Sequence, residues 1–170
     1  MDGEAAPPKW AGLKFFNVYG PNEYHKGSMR SVIAANYKQI AAGEPFRLFR
    51  SYRPEFPDGG QKRDFVCVTD CVSIVLWMLD NPFLPGVYNV GSGTARSWLD
   101  LAQAFFMAAG LAERVEFIEM PESLRDRYQY FTEARMAKLR AAGYGPAATS
   151  LEDGVREYVQ VYLSTPDMYA

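Results

Sequence analysis

The 170 residues contain one histidine and two cysteines, and that scarcity closes several chemistries at the outset. His25 alone excludes a two-histidine zinc motif, and Cys67 and Cys71, spaced C-x-x-x-C, lack the second ligand pair of a structural zinc site. No metal is expected. Two cysteines also cannot make a disulfide scaffold, and in their apolar surroundings they read as buried small hydrophobes. Missing too is any apolar run of bilayer length, so no membrane partner is expected. Charge of one sign is not in excess either. Eighteen basic against 20 acidic side chains give a net charge of -2, which argues against a nucleic-acid partner. Met1 to Pro8 has neither the basic region nor the apolar segment of a secretory signal, so a reducing cytoplasm is the expected compartment.

What is present is globular in character: 48% hydrophobic, 15% aromatic and 22% charged residues, in a length that suits one domain. Residues 1–12 read as a frayed lead-in and 13–170 as the folded body. Leu13 to Tyr19 has the apolar, β-branched make-up of a buried strand closed by Gly20-Pro21. Ser28 is placed to cap a helix to about Ala42, with Gly43 as its stop. Phe46 to Phe49, Phe65 to Val68, Val87 to Val90 and Val115 to Ile118 read as strands. Thr69 or Asp70 is expected to cap a helix ending near Leu79, Ser97 with Asp100 a helix Trp98 to Ala109, Thr132 one to Ala142, and Ser150 one over Leu151 to Leu163. Residues 51–61 form the one clear irregular loop. Strands alternating with helices give an α/β class.

Two phosphate-binding fingerprints nearly match and fail. Gly91-x-Gly93 follows a strand and precedes a helix, but Arg96 occupies the third glycine position. Lys26-Gly27-Ser28 is preceded by His25 where a phosphate loop needs glycine. Nor does any Tyr-x-x-x-Lys pair occur among the 11 tyrosines. The polar loop from Asn17 to Ser28 is different, because it crowds ionisable side chains between a strand and a helix start. Lys26 there is either a solvated loop charge or, near a helix start, a proton carrier or phosphate contact. Lys62-Arg63-Asp64 is either a surface ion pair or an arginine fork for a diphosphate. Tyr128 and Tyr130 are either core aromatics or a stacking wall.

LKFFNVYGPNEYHKGSM (13–29) closely resembles the segment that follows the catalytic Tyr-x-x-x-Lys helix in extended short-chain dehydrogenase/reductases. His25-Lys26-Gly27-Ser28 is similar to the version found in the ADP-L-glycero-D-manno-heptose 6-epimerase family. KRDFVCVTD (62–70), YNVGSG (88–93), RYQYFTEARMAKLRAAGY (127–144) and SLEDGVREYV (150–159) follow in the family's order. FNVYGP and the RDF segment belong to many sugar-nucleotide epimerases and dehydratases; HKGSM and RYQYFTEA are narrower. The likeness runs from Leu13 onward and corresponds to the C-terminal half of such an enzyme.

The resemblance implies the substrate-binding part of an extended short-chain dehydrogenase/reductase, lacking most of the Rossmann sheet, with strands that would join it. It implies an isomerase that inverts C6 of ADP-glycero-manno-heptose by transient oxidation with NADP, for the lipopolysaccharide inner core. Carried over by position, Lys26 matches the catalytic lysine, which also contacts the cofactor, and Val18 a second cofactor contact. Asn17 and Ser28 match substrate contacts. Phe49, Arg50, Ser51 and Tyr52 fall where a loop lines the nucleotide, Arg63 where an arginine meets the diphosphate, and Tyr128 where a tyrosine closes the pocket. Seven residues after the motif's serine, where a relative carries a substrate-contacting histidine, stands Ala35, with Asn36 beside it as the substitute. The catalytic tyrosine and glycine-rich cofactor loop are expected in the other half, so this chain alone is expected to be inert. It is also expected to form a homo-oligomer.

Overall fold

In the computed structural model, which describes residues 9–165, the chain enters its first strand at Ala11. That strand begins within the stretch 1–12 read as a lead-in, of which residues 1–8 lie outside the described residues. The apolar run that reads as one strand is two. β1 (Ala11–Phe15) pairs in parallel with β5 (Gly86–Val90), and after Phe16 the chain changes partner. β2 (Asn17–Tyr19) then pairs in parallel with β4 (Lys62–Cys67), whose other edge takes the antiparallel β6 (Ala95–Ser97). A third pair, β3 (Phe46–Phe49) with β7 (Val115–Ile118), is again parallel.

Helix starts explain most departures from expectation. α1 spans Val32–Ala41 and is capped by Ser31, whose hydroxyl accepts from the Ala34 N–H. Ser28 instead lies in a 3-10 turn, Tyr24–Met29, which Gly27 breaks at φ 54°. α2 (Val68–Asp80) runs straight out of β4 with no side-chain cap. Neither Thr69 nor Asp70 caps it: the Asp70 carboxylate accepts from the Thr149 N–H and hydroxyl and ties α2 to the loop ahead of the last helix. α3 (Trp98–Ala109) has the full Ser97/Asp100 capping box and ends on left-handed Gly110, as the sequence suggests. α4 (Glu122–Arg125) and β6 were not foreseen. α5 covers only Ala137–Ala141, and Thr132 does not cap it, because the Thr132 and Ala134 N–H groups are drawn to the Lys62 carbonyl and the Asp64 carboxylate. α6 (Leu151–Glu157), capped by Ser150, winds on as a π-helical turn to Leu163.

Two apolar cores result. The larger packs α1, α3, α6 and the π-turn around Ile33, Phe46, Phe105 and Val155; the smaller packs α2 and α5 on β5 around Ile74, Tyr88, Val90 and Leu139. Cys67 and Cys71 are both buried and free, and burial pushes the Cys71 thiol up to about 12, so it is unreactive at neutral pH. No helix among the described residues is long and apolar enough to cross a membrane.

Candidate functional site

The ends of parallel strands β2 and β4 open beside the start of α1, and two adjoining pockets lie there. The first is bounded by Phe16, Asn17 and Val18, by the Met29–Ile33 entry to α1, and by Phe65 and Trp98. The second is bounded by Val32 and Asn36 of α1, Phe49 at the end of β3, Ile118, Tyr128 and again Trp98. Val32 and Trp98 belong to both, so the pockets meet across them.

Arg63, on β4, packs against two residues that border these pockets, Tyr128 and Trp98. It is only 7% exposed, and its Nη1 donates to the Lys62 carbonyl at 2.8 Å. The guanidinium lies 5.0 Å from the centre of the Tyr128 ring and 5.9 Å from that of Trp98. No carboxylate of the described residues pairs with it. Burial lowers its affinity for a proton, though a guanidinium keeps its charge at any ordinary pH. The surface ion pair with Asp64 does not exist. Asp64 is fully buried and faces the other way, where its two oxygens accept from Ser92 N–H and hydroxyl, Gly93 N–H and Ala134 N–H at 2.6–2.9 Å. It thereby fixes the loop after β5 against the segment that carries Tyr128. A buried cation without a counter-ion is unfavourable until an anion arrives beside it.

The two tyrosines take different parts. Tyr130 is core, and its hydroxyl accepts the Tyr52 N–H at 2.9 Å. Tyr128 is the wall, edge-on to Phe49 at 6.1 Å. Burial raises the Tyr128 hydroxyl, against the opposing influence of Arg63 and the Trp98 indole.

Asn36, Phe49, Arg63 and Tyr128, four of the residues foreseen from sequence, are thus brought together. The Asn36 amide donates back to the Val32 carbonyl at 2.8 Å while its side chain borders the second pocket. Arg50, Ser51 and Tyr52 form a rim beyond it. Arg50 pairs with Asp58 at 3.1 Å and Glu119 at 3.4 Å, Ser51 N–H donates to Asp58, and the Tyr52 hydroxyl donates to Glu119 with Arg125 stacked over its ring. Asn17 and Val18 line the first pocket. Lys26 and Ser28 do not: both are exposed on the 3-10 turn. That turn is anchored by Glu23, 2% exposed, whose carboxylate accepts from Ser31 N–H, Ser31 hydroxyl and Tyr158 hydroxyl at 2.5–2.8 Å.

Glu23 and Trp98 were not singled out from the sequence, and Asp64 was read only as an ion-pair partner of Arg63. A signal existed only for Trp98, which the capping box places at the first helical position, next to the strand ends.

A model of the NAD dependent epimerase/dehydratase family matches residues 6–91, half of the chain. The chain belongs to that family. Among curated members, the ADP-L-glycero-D-manno-heptose-6-epimerase of Nitratidesulfovibrio vulgaris (strain DP4) is 57% identical over 159 residues, 94% of this chain and 49% of the relative. The crystal structure of the Helicobacter pylori enzyme of that name matches with a TM-score of 0.71 at 28% identity, over 89% of this chain and 43% of that one. The UDP-glucose 4-epimerase of Thermus thermophilus, solved with NAD, matches with a TM-score of 0.67, also at 28% identity, over 89% and 45%. The α/β architecture is that of the epimerase family, and the chain spans about half the length of the curated relatives it matches.

Proposed function

We propose that this chain is the substrate-binding portion of a nucleotide-sugar epimerase that inverts C6 of ADP-glycero-manno-heptose for lipopolysaccharide precursor synthesis. The observation that carries this reading is Arg63: a buried guanidinium with no carboxylate partner, walled by Tyr128 and Trp98 where two pockets meet, suits one diphosphate better than it suits a surface. The 57% identity to a heptose epimerase narrows the sugar.

In this reading the second pocket takes the nucleoside, with Asn36, Phe49 and Tyr128 against it and Arg50, Ser51 and Tyr52 as its rim. The first takes the sugar, with Asn17 as its polar contact; Ser28 borders neither pocket, and its assignment to the substrate rests on its position in the motif alone. The chain's residues suit only the reactive end of a nicotinamide cofactor. Val18 offers a half-buried apolar contact in the first pocket, and the sequence has no glycine-rich loop for the diphosphate of a dinucleotide. When bound, NADP supplies reversible hydride acceptance, which inversion needs at a carbon bearing no acidic hydrogen. Lys26 borders neither pocket, so its role as the catalytic lysine rests on its match by position and would need the other half to bring the cofactor to its ammonium.

The isolated chain, incubated with ADP-heptose and NADP, should show no epimer exchange, and addition of a glycine-rich, Tyr-x-x-x-Lys-bearing half should restore it. Turnover by the chain alone would overturn the assigned division of labour. In the restored enzyme Lys26→Ala should lower the rate far more than it weakens binding. A calorimetric panel of ADP-, UDP- and dTDP-sugars tests the base, and preference for UDP or dTDP would reassign the substrate. Binding without turnover in the restored enzyme would mark a nucleotide-sugar-binding module instead.

A further inference from the structure

Trp98 Nε1 is one of two buried side-chain polar atoms among the described residues that have no hydrogen-bond partner; the other is Thr132 Oγ1. An indole N–H can only donate, and a donor buried without an acceptor is unfavourable by the full loss of its hydration. Packing alone does not account for it. A phenylalanine would fill the same space against Phe65, whose ring lies edge-on at 5.1 Å, without stranding a donor.

The backbone cannot shift to find it a partner. Trp98 is the first residue of α3, and the reciprocal Ser97/Asp100 bonds lock that helix start. The Tyr128 hydroxyl is near enough for the indole N–H to favour its ionised form as a donor would, but the two do not reach hydrogen-bond geometry. The ring borders both pockets, and the Arg63 guanidinium is 5.9 Å from its centre. An unused neutral donor and a buried cation with no carboxylate partner therefore sit on neighbouring side chains, one of which borders both pockets.

We propose that the Trp98 indole N–H, together with Arg63, holds a phosphate oxygen of a nucleoside diphosphate where the two pockets meet. The proposal rests on the nucleotide-sugar reading of the site and adds to it a donor that the residue pattern did not indicate. A planar guanidinium and a single indole N–H approach an oxyanion from different directions, so the pair fixes where along the ligand the phosphate sits and, with it, how far the sugar reaches into the first pocket.

The test uses the 15N-labelled chain, whose three tryptophans Trp10, Trp77 and Trp98 give three indole N–H resonances. Titration with ADP should move the Trp98 signal downfield, whereas adenosine, which lacks phosphate, should leave it in place. Trp98→Phe keeps an aromatic ring, though a smaller one, and removes the donor, and should weaken ADP binding about tenfold, the effect of one hydrogen bond to a charged group. Failure of the unsubstituted chain to bind ADP overturns the reading of the site and this inference with it. ADP binding with a stationary Trp98 signal, an equal response to adenosine, or undiminished affinity in Trp98→Phe overturns the inference alone. Should Trp98→Phe not fold, the resonance of the unsubstituted chain decides.

Discussion

Glu23 is a carboxylate at 2% exposure that satisfies three donors, two on Ser31 and one on Tyr158. Replacing it with alanine leaves all three without an acceptor in a buried place, and Glu23→Ala should cost about 3 kcal/mol or more by urea unfolding. Because Ser31 caps α1 and the turn 24–29 hangs from Glu23, that variant should also release the loop carrying Lys26. Gly91 sets a second limit at this scale. An added Cβ would stand 2.5 Å from the Ala134 Cβ and 2.8 Å from the Asp64 carboxylate, so Gly91→Ala must push apart the four-bond knot around Asp64. It is expected to lower the melting temperature by several degrees and to loosen Tyr128, which a weakened ADP affinity would report. The roles of single residues were the least legible part of the sequence. Tyr128 and Tyr130 are two apart and chemically alike, and only the packing of Phe49 on one and the Tyr52 N–H on the other separates wall from core. Asp64 reads as an ion-pair partner of Arg63 because pairing is the cheapest local guess, but backbone N–H groups from residues 92, 93 and 134 reach it first.

The start of α3 combines a cap with a charge network at the scale of the element. Arg96 pairs with Asp100 at 3.1 Å and Glu152 at 2.6 Å, joining α3 to α6. Burial works to raise the Asp100 carboxyl, but the Ser97 N–H and Arg96 outweigh it and hold the group below its ordinary value; Arg96 holds Glu152 below its own. Carboxyls depressed in the folded state stabilise it above their unfolded values, and that stabilisation is lost as pH falls through the folded ones. Arg96→Gln should therefore melt earlier than the unsubstituted chain at pH 7, by no more than about 1 kcal/mol for partly exposed pairs, and the gap should close below about pH 4. A gap that persisted at low pH would assign the effect to packing. Ser97→Ala, which removes the cap, should cost about 1 kcal/mol at pH 7. Elements were legible where one local rule sufficed, as at the α3 capping box and at the strand Val115–Ile118. They were misread where two local signals competed. Ser28 and Ser31 both precede helical sequence, and the positive φ of Gly27 together with the Glu23 carboxylate decides for Ser31. Likewise, the unbroken apolar run from Leu13 to Tyr19 gives no hint that the chain changes partner at Phe16.

The whole molecule leaves apolar surface uncovered. α2 turns Val72, Val75, Leu76 and Leu79 outward at 38–68% exposure, and Phe15 and Val87 of the β1–β5 pair are 48% and 60% exposed. β1 and β5 each keep an unpaired edge among the described residues. Such a face invites association. Sedimentation equilibrium should find concentration-dependent self-association, abolished by Leu76→Glu with Leu79→Lys, whereas a strictly monomeric chain would contradict it. That the chain corresponds to half of its relatives was readable from motifs, because fingerprints are local, and with it the open edges of the strands that would join the other half; the exposed face of α2 was not, because it follows from the whole packing. The parallel pairings also bear on how the chain is made. β1 waits for residue 86, β2 for residue 65 and β3 for residue 115 before a partner exists. At a synthesis rate of about 5–20 residues per second, the partner that this chain supplies for β1 follows it by several seconds. Refolding of the finished chain must likewise close these long loops first, which places it in the millisecond-to-second range rather than among the microsecond folders.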